Sequence, residues 1–384
     1  MIHLSSPKTL GNEKIYIEEC LESGWLSTSG PFIEKFEEEL SKYVNSKHVV
    51  ACINGTSALH ISLKLLNVEA GDEVIVPTIT FISTINSIIY NNASPIFMDC
   101  DDFYNLDTVK TIEFIKSETY FKSGYTYNKK TNKRIPAIVP VHVWGNALWL
   151  DELYDLCQER NIKILEDASE SLGTTYTEGK FKSCHPGTIG DIGCLSFNAN
   201  KIITSAGGGA ILTNNKTIAD KARYLISQAK DDPIKYIHNE VGYNYRITNI
   251  NAAIGLAQLE KIDDILENKK EIRKIYSERI SKIKNIKLAE TPSYADNNSW
   301  LNLITLSKDY KYTIWELFNK FEEKDIQTRP VWQLNHLQKK YRDFQTFKIS
   351  NAEIKLNNSL CIPSSSHLTK NQIEEVINIL KDIG

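Results

Sequence analysis

From Ile33 to about Leu225 the chain alternates between two textures. Ile33, Phe36, Leu40, Tyr43 and Val44 recur at helical spacing with acidic residues between them, which reads as an amphipathic helix. Short apolar runs follow at 73–77 (EVIVP), 95–99 (PIFMD), 137–141 (AIVPV) and 162–166 (IKILE). Each is rich in branched aliphatics, as expected of strands covered on both faces. Helix-length stretches at 81–90 and 151–160 lie between them. The alternation predicts an α/β fold, a mostly parallel sheet with helices on both sides. Ligands of such sheets gather at the carboxyl ends of the strands. The basic, aperiodic run 120–134 reads as a solvated loop before a strand at Ile135 rather than as a nucleic-acid patch. A long, charged helical pattern over 251–283 then leads into weaker alternation. This predicts a large domain over 13–248 and a smaller C-terminal α/β domain over 249–384, with 1–12 as an N-terminal segment.

Composition narrows the function classes. The 384 residues are 41% hydrophobic and 24% charged, a globular balance long enough to bury a core without disulfide or metal staples. Lys plus Arg number 45 against 48 for Asp plus Glu, net −3, which removes the main reason to expect a nucleic-acid partner. No run approaches the ~18 apolar residues of a membrane span, and residues 1–11 lack a signal-peptide pattern. The seven cysteines are scattered without a CxxC pair, so neither a disulfide framework nor a zinc site is expected. The expectation is a cytoplasmic protein with no metal and no membrane or nucleic-acid partner.

Four segments at the expected strand ends carry candidate chemistry. Gly55-Thr56-Ser57 opens a helix after the apolar run 49–53, and offers N–H groups and hydroxyls either to an anion or simply as a cap. Glu166, Asp167 and Glu170 cluster after the strand at 162–165, where they either meet a cation or favour a helix N-terminus. Lys201 lies just past Ser196-Phe197 and leads into Gly207-Gly208-Gly209; it reads as an enclosed, carbonyl-attacking amine or as a solvated loop lysine. Asn244-Tyr245-Arg246 precedes a helix cap at Thr248, and by itself reads as a turn stiffened by tyrosines. Taken together, an anion cradle, a strand-end carboxylate and a lysine match the needs of pyridoxal phosphate (PLP): donors for its phosphate, an acid for its ring nitrogen, an amine for its aldehyde. No GxGxxG opens a helix after an early strand, which argues against a Rossmann dehydrogenase.

The ordered motifs resemble the DegT-type sugar-nucleotide aminotransferases, which are fold-type I PLP enzymes. They run from Ser23-Gly24-Trp25-Leu26-Ser27 through Asn54–Leu59, Gly71–Thr78, Val141–Asn146, Glu166-Asp167-Ala168, Ser196 to Lys201, and Asn244–Arg246 to Ala252–Leu259. The resemblance implies a seven-stranded, mostly parallel sheet in the large domain. It implies that Lys201 binds the cofactor covalently and moves protons, and that Asp167 pairs with the ring nitrogen. Phe81 stacks on the ring, Glu170 lies near the ring hydroxyl, and Gly55, Thr56, Ser57 and Ser196 hold the phosphate. Asn244 reaches the phosphate of the neighbouring subunit's cofactor, which makes the working unit a homodimer with composite sites. Trp25, Ser27, His142, Arg246, Arg329, Trp332 and His336 are the expected substrate contacts.

Within the family, the 142–147, 167–173, 196–204 and 329–336 segments look like the legionaminic-acid and bacillosamine branch. That branch implies transfer of an amino group from L-glutamate to C4 of a UDP- or GDP-linked 2-acetamido-4-keto-6-deoxy sugar. Two positions depart from the family pattern: Trp144 stands where Phe or Tyr is usual, and Ala206 replaces a glycine. Two rivals share the cofactor: a sugar 3-dehydratase, whose lysine position is histidine, and a PLP-binding regulator without turnover.

Overall fold

The computed structural model describes residues 1–382. Its main sheet has eight strands in the order His48–Cys52, Gly209–Thr213, Ile192–Ser196, Lys163–Asp167, Ala137–Ile138, Glu73–Pro77, Ser94–Met98 and Thr346–Phe347. Gly209–Thr213 runs antiparallel to both its neighbours; the remaining pairings are parallel. The seven strands implied by the resemblance are present. The eighth comes from the C-terminal part of the chain and covers the otherwise open edge of Ser94–Met98. At two residues it is too short to leave a sequence pattern.

The central strands are buried on both faces, and their side chains alternate between two cores. Val74 and Val76 pack with the helices Gly55–Leu65 and Ile82–Tyr90, whereas Ile75 joins the core of Thr108–Ser117 and Asp151–Glu159. A third layer is formed by Glu13–Ser23, Pro31–Val44 and Asn249–Leu259. There a Cβ on Gly255 would lie 2.9 Å from the Phe36 ring, so only glycine admits this close approach.

Two segments differ from the sequence expectation. Residues 120–134 contain an antiparallel hairpin, Thr119–Lys122 with Tyr125–Asn128, rather than a plain loop. Ser123 and Gly124 both take positive φ (52° and 84°), the turn that matches strand twist. Tyr120 and Tyr127 stack across it at 5.4 Å. The charge density of the run masks this period of two. The long pattern over 251–283 is two helices, Asn249–Leu259 and Ile262–Ile280, parted at Glu260-Lys261. The second crosses to a C-terminal antiparallel sheet ordered Ile286–Leu288, Asn302–Leu306, Ser359–Ile362, Arg329–Pro330. Tyr276, Ile304, Phe321, Leu360 and Ile377 fill the core of that unit.

Candidate active site

The carboxyl ends of Lys163–Asp167 and Ile192–Ser196 and the start of Gly55–Leu65 converge on a cavity of about 670 Å³. This is where a parallel sheet gathers its ligands. Asp167 lines it and is 4% exposed. One carboxylate oxygen accepts from the Thr84 hydroxyl at 2.7 Å and the other from the Ser169 N–H at 3.2 Å. Lys201 enters from the turn after Ser196, its side chain 14% exposed. Its Nζ lies 3.3 Å from Glu170 Oε1 and 4.2 Å from the centroid of the Trp300 ring. The other Glu170 oxygen accepts from the Trp144 N–H at 2.8 Å. Burial pushes the Glu170 carboxyl above the usual carboxylate range, against the opposing pull of Lys201 and the Trp144 N–H.

An anion cradle faces these groups. Asn54 caps the helix by accepting from the Ser57 N–H at 2.8 Å. The N–H groups of Gly55 and Thr56 fall in the first turn, where no intrahelical acceptor exists, at the positive end of the helix dipole. A Cβ on Gly55 would sit 2.9 Å from Ser196 Cβ, so the glycine lets helix and strand close up beside the Ser196 side chain. Gly207 and Gly208 also line the cavity, while Ala206, exposed, takes φ 60° where a glycine is usual. Free N–H groups, hydroxyls, an acid and an enclosed amine form a donor set that fits PLP: the cradle suits its phosphate, Asp167 its ring nitrogen and Lys201 its aldehyde.

Aromatic side chains build the mouth. Phe81 is 53% exposed, and its ring lies 6.2 Å from Trp332, which in turn lies 5.2 Å from Trp144. Trp144 holds a left-handed backbone (φ 54°), kept there by its bond to Glu170 and by Tyr104 packed at 4.8 Å. Arg329 also lines the cavity and donates to the Thr328 carbonyl rather than to a carboxylate.

Lys201, Asp167, Glu170, Gly55, Thr56, Ser196, Phe81, Arg329 and Trp332 therefore share one cavity, with Ser57 buried one residue behind its wall. Other expected contacts lie elsewhere. His142 is fully buried: its Nδ1 accepts from the Leu148 N–H at 3.1 Å, so the Nε2, 3.0 Å from Glu166, is the donor. Glu166 also accepts from the N–H groups of Gly187, Ile189 and Gly190 and points away from Asp167, as strand alternation requires. His336 lies 2.7 Å from the Thr78 hydroxyl, and burial pushes its imidazole below the ordinary range. Arg246 donates to the Thr28 carbonyl and borders a separate cavity of about 230 Å³. Trp25 and Ser27 serve Asn249 through their carbonyls. Asn244 is exposed and outside the cavity. Two functional neighbours were missed by sequence reasoning. Thr84, in the first turn of the helix that follows Phe81, left a positional signal; Trp300, about 100 residues from Lys201, left none.

Residues 8–381 match the profile of the DegT/DnrJ/EryC1/StrS aminotransferase family. The GDP-perosamine synthase of Vibrio cholerae is 33% identical over 385 residues, covering 100% of this chain and 99% of that protein. That of Escherichia coli O157:H7 is 36% identical over 355 residues, 89% of this chain and 87% of its own. Among solved structures, DesV of S. venezuelae in complex with a ketimine intermediate superposes with a TM-score of 0.83 at 25% identity, covering 97% of this chain and 94% of that one.

Proposed function

The chain belongs to the DegT/DnrJ/EryC1/StrS aminotransferase family, whose cofactor is PLP, and from that premise we propose that it moves an amino group from L-glutamate to C4 of a nucleotide-linked 4-keto-6-deoxy sugar in two ping-pong half-reactions. The observation that carries this reading is the Lys201 amine, enclosed in the cavity that also holds the Asp167 carboxylate and the helix-start cradle. Bound PLP supplies a carbonyl that takes up and returns the amino group, and a ring that withdraws electrons from the reacting carbon. This chain's residues do the rest. The amine of Lys201 takes a proton from the carbon that bears the amino group and delivers it on the other side of the transfer. Glu170 aims that amine. Asp167 holds a proton on the ring nitrogen, and the Thr84 hydroxyl fixes its carboxylate in the orientation required. The Gly55 and Thr56 N–H groups with the Thr56, Ser57 and Ser196 hydroxyls bind the phosphate. Phe81 covers the ring and excludes water. The exposed Asn244 serves the site of a second copy, so the working unit is a homodimer, and the large and small domains meet near residue 248.

Two acceptors enter the test: the 2-acetamido sugar of the motif resemblance, and the GDP-linked sugar to which the names of the two synthases point. The protein is incubated with L-glutamate and UDP- or GDP-linked 4-keto-6-deoxy sugars, with and without the 2-acetamido group, and the products are read by mass and NMR. The expected result is 2-oxoglutarate together with a C4-aminated sugar, and background turnover in Lys201→Ala. A sugar product that has lost its C3 oxygen and gained no nitrogen, with ammonia released beside 2-oxoglutarate, would establish the dehydratase reading instead. Full turnover in Lys201→Ala would refute the mechanism.

A further inference from the structure

Behind Lys201 lies a second buried lysine that the proposed chemistry does not use. Lys269, on the helix Ile262–Ile280, is 3% exposed. Its Nζ donates to two neutral acceptors, the carbonyls of Trp300 at 2.9 Å and Ser364 at 2.7 Å. Lys269 and Lys201 border the same small gap of about 10 Å³. Placing an ammonium there without a carboxylate is costly. A methionine would fill similar space without that penalty, so packing alone does not account for the residue.

The acceptor residue explains what the amine does. Trp300 is clamped at each of its polar groups. Its N–H donates to the Asn298 side chain at 2.9 Å, its indole Nε1 donates to the Asn200 carbonyl at 2.6 Å, and its carbonyl is the one held by Lys269. Asn298, fully buried, donates in turn to the carbonyls of Glu170 and Leu172 at 2.8 and 2.9 Å. The indole so fixed lies against the Lys201 amine, and its N–H anchors the residue just before Lys201. Two side chains in series, Asn298 and Trp300, thus link the backbone of Glu170 to the backbone beside Lys201, and Lys269 ties Trp300 to the helix that joins the two sheets.

We propose that Lys269 is a positioning residue for the reaction, acting through Trp300 to hold the Lys201 amine in its working place. The inference rests on the reading of Lys201 as the reactive amine. Because Lys201 serves both halves of a ping-pong reaction, a lesion in its support slows both. A substrate contact slows only one.

The test compares wild type with Lys269→Met, Trp300→Leu and the double variant. The first readout needs neither cofactor nor substrate: labelling of Lys201 in the apoprotein by trinitrobenzenesulfonate, quantified by peptide mass. With the indole loosened or gone the amine is uncovered, and labelling should quicken roughly three- to thirtyfold, the span from an exposed to a desolvated cation–π contact expressed as a rate ratio. The double variant should label no faster than Trp300→Leu alone, since residues acting along one link are not additive. The second readout is the rate of each half-reaction in the PLP-loaded enzyme. Both should fall together, with KM for glutamate and for the sugar held, and Lys269→Arg should restore part of the loss. Additive labelling effects, or a lowered Tm with wild-type labelling and half-reaction rates, would overturn the proposal and leave Lys269 a packing residue. Should Lys269→Met not fold, wild-type labelling in Trp300→Leu would overturn it alone. Labelling is indifferent to which substrates are used, so failure of the proposed function leaves this result standing.

Discussion

Replacing Lys269 with Met should leave the apoprotein about as stable near pH 7, yet remove the part of its stability that grows with alkalinity. Burial alone pushes the Lys269 amine from 10.5 down to about 7. A folded value below the unfolded one means that the unfolded chain binds more protons throughout that window. Stability therefore rises as pH climbs from about 7 to 10.5 and is lowest below it. At about 1.4 kcal/mol per unit the whole window is on the order of 5 kcal/mol, and the step from pH 7 to pH 9 about 2 kcal/mol. Met abolishes that term but leaves the Trp300 and Ser364 carbonyls unpaired, at roughly 1–3 kcal/mol each. The two effects nearly offset at neutral pH, and the unpaired carbonyls win at pH 9. The charged neighbours do not blur the window: His367 is pushed below its ordinary range by burial and by Lys8 and Lys269, so it is already neutral there. The assay is urea unfolding of the apoprotein at pH 7, 8 and 9, wild type beside variant at constant ionic strength. The stability difference should widen by about 2 kcal/mol from pH 7 to pH 9. A constant difference would mean that Lys269 carries the same proton folded and unfolded, and would refute the reasoning.

Gly55→Ala puts a methyl 2.9 Å from Ser196 Cβ, so the helix must move off the strand; PLP affinity, followed by absorbance titration, should drop about tenfold and stability by roughly 1–3 kcal/mol. An unchanged affinity would show that the cradle does not bind the phosphate. Arg329→Gln should slow the nucleotide-sugar half-reaction roughly tenfold, a charge-assisted hydrogen bond's worth, while sparing the glutamate half; loss of both with a lowered Tm would return Arg329 to a structural role. Asn244→Ala should weaken PLP binding by roughly 1.5–3 kcal/mol. Mixing it with Lys201→Ala should restore near-normal sites in half of each hybrid dimer, one site holding both lesions and the other neither. No recovery would rule out shared sites.

What the sequence made legible and what it hid follow from how each residue reaches its place. Val74, Ile75 and Val76 declare their strand because both faces are covered and all three must be apolar. Asp167, Lys201 and Gly55 announce themselves because each sits beside a strand or helix end that local pattern marks. Which way a neighbouring side chain faces is another matter. Glu166 and Asp167 are adjacent, and alternation sends one to His142 and the other to the cavity. His142 belonged to a motif that suggested the site, yet its ring nitrogens are taken up by Glu166 and the Leu148 N–H. Trp300 and Lys269 were illegible for a different reason. Their roles arise from packing between segments about 30 to 100 residues apart, and neither local propensity nor spacing records a tertiary contact. Similarly, the resemblance makes Arg246 an expected substrate contact, whereas its guanidinium donates to the Thr28 carbonyl.

The short strand Thr346–Phe347 has a consequence for how the protein is made. Ser94–Met98 leaves the ribosome roughly 250 residues before the partner that covers its edge, which at ~5–20 residues per second is a wait on the order of ten to fifty seconds. During that time the nascent sheet offers an unpaired row of N–H and C=O groups to any other extended chain. A fragment ending at residue 248 would carry that open edge permanently, and should pellet on expression where the full chain stays in solution. Only when Phe97 donates to the arriving Gln345 carbonyl, and the Asn335 side chain takes up the carbonyls of Thr78 and Thr80, is the sheet sealed. The same arriving stretch brings Arg329 and Trp332 to the cavity, so the newborn chain completes that cavity's lining in the step that ends its exposure to aggregation.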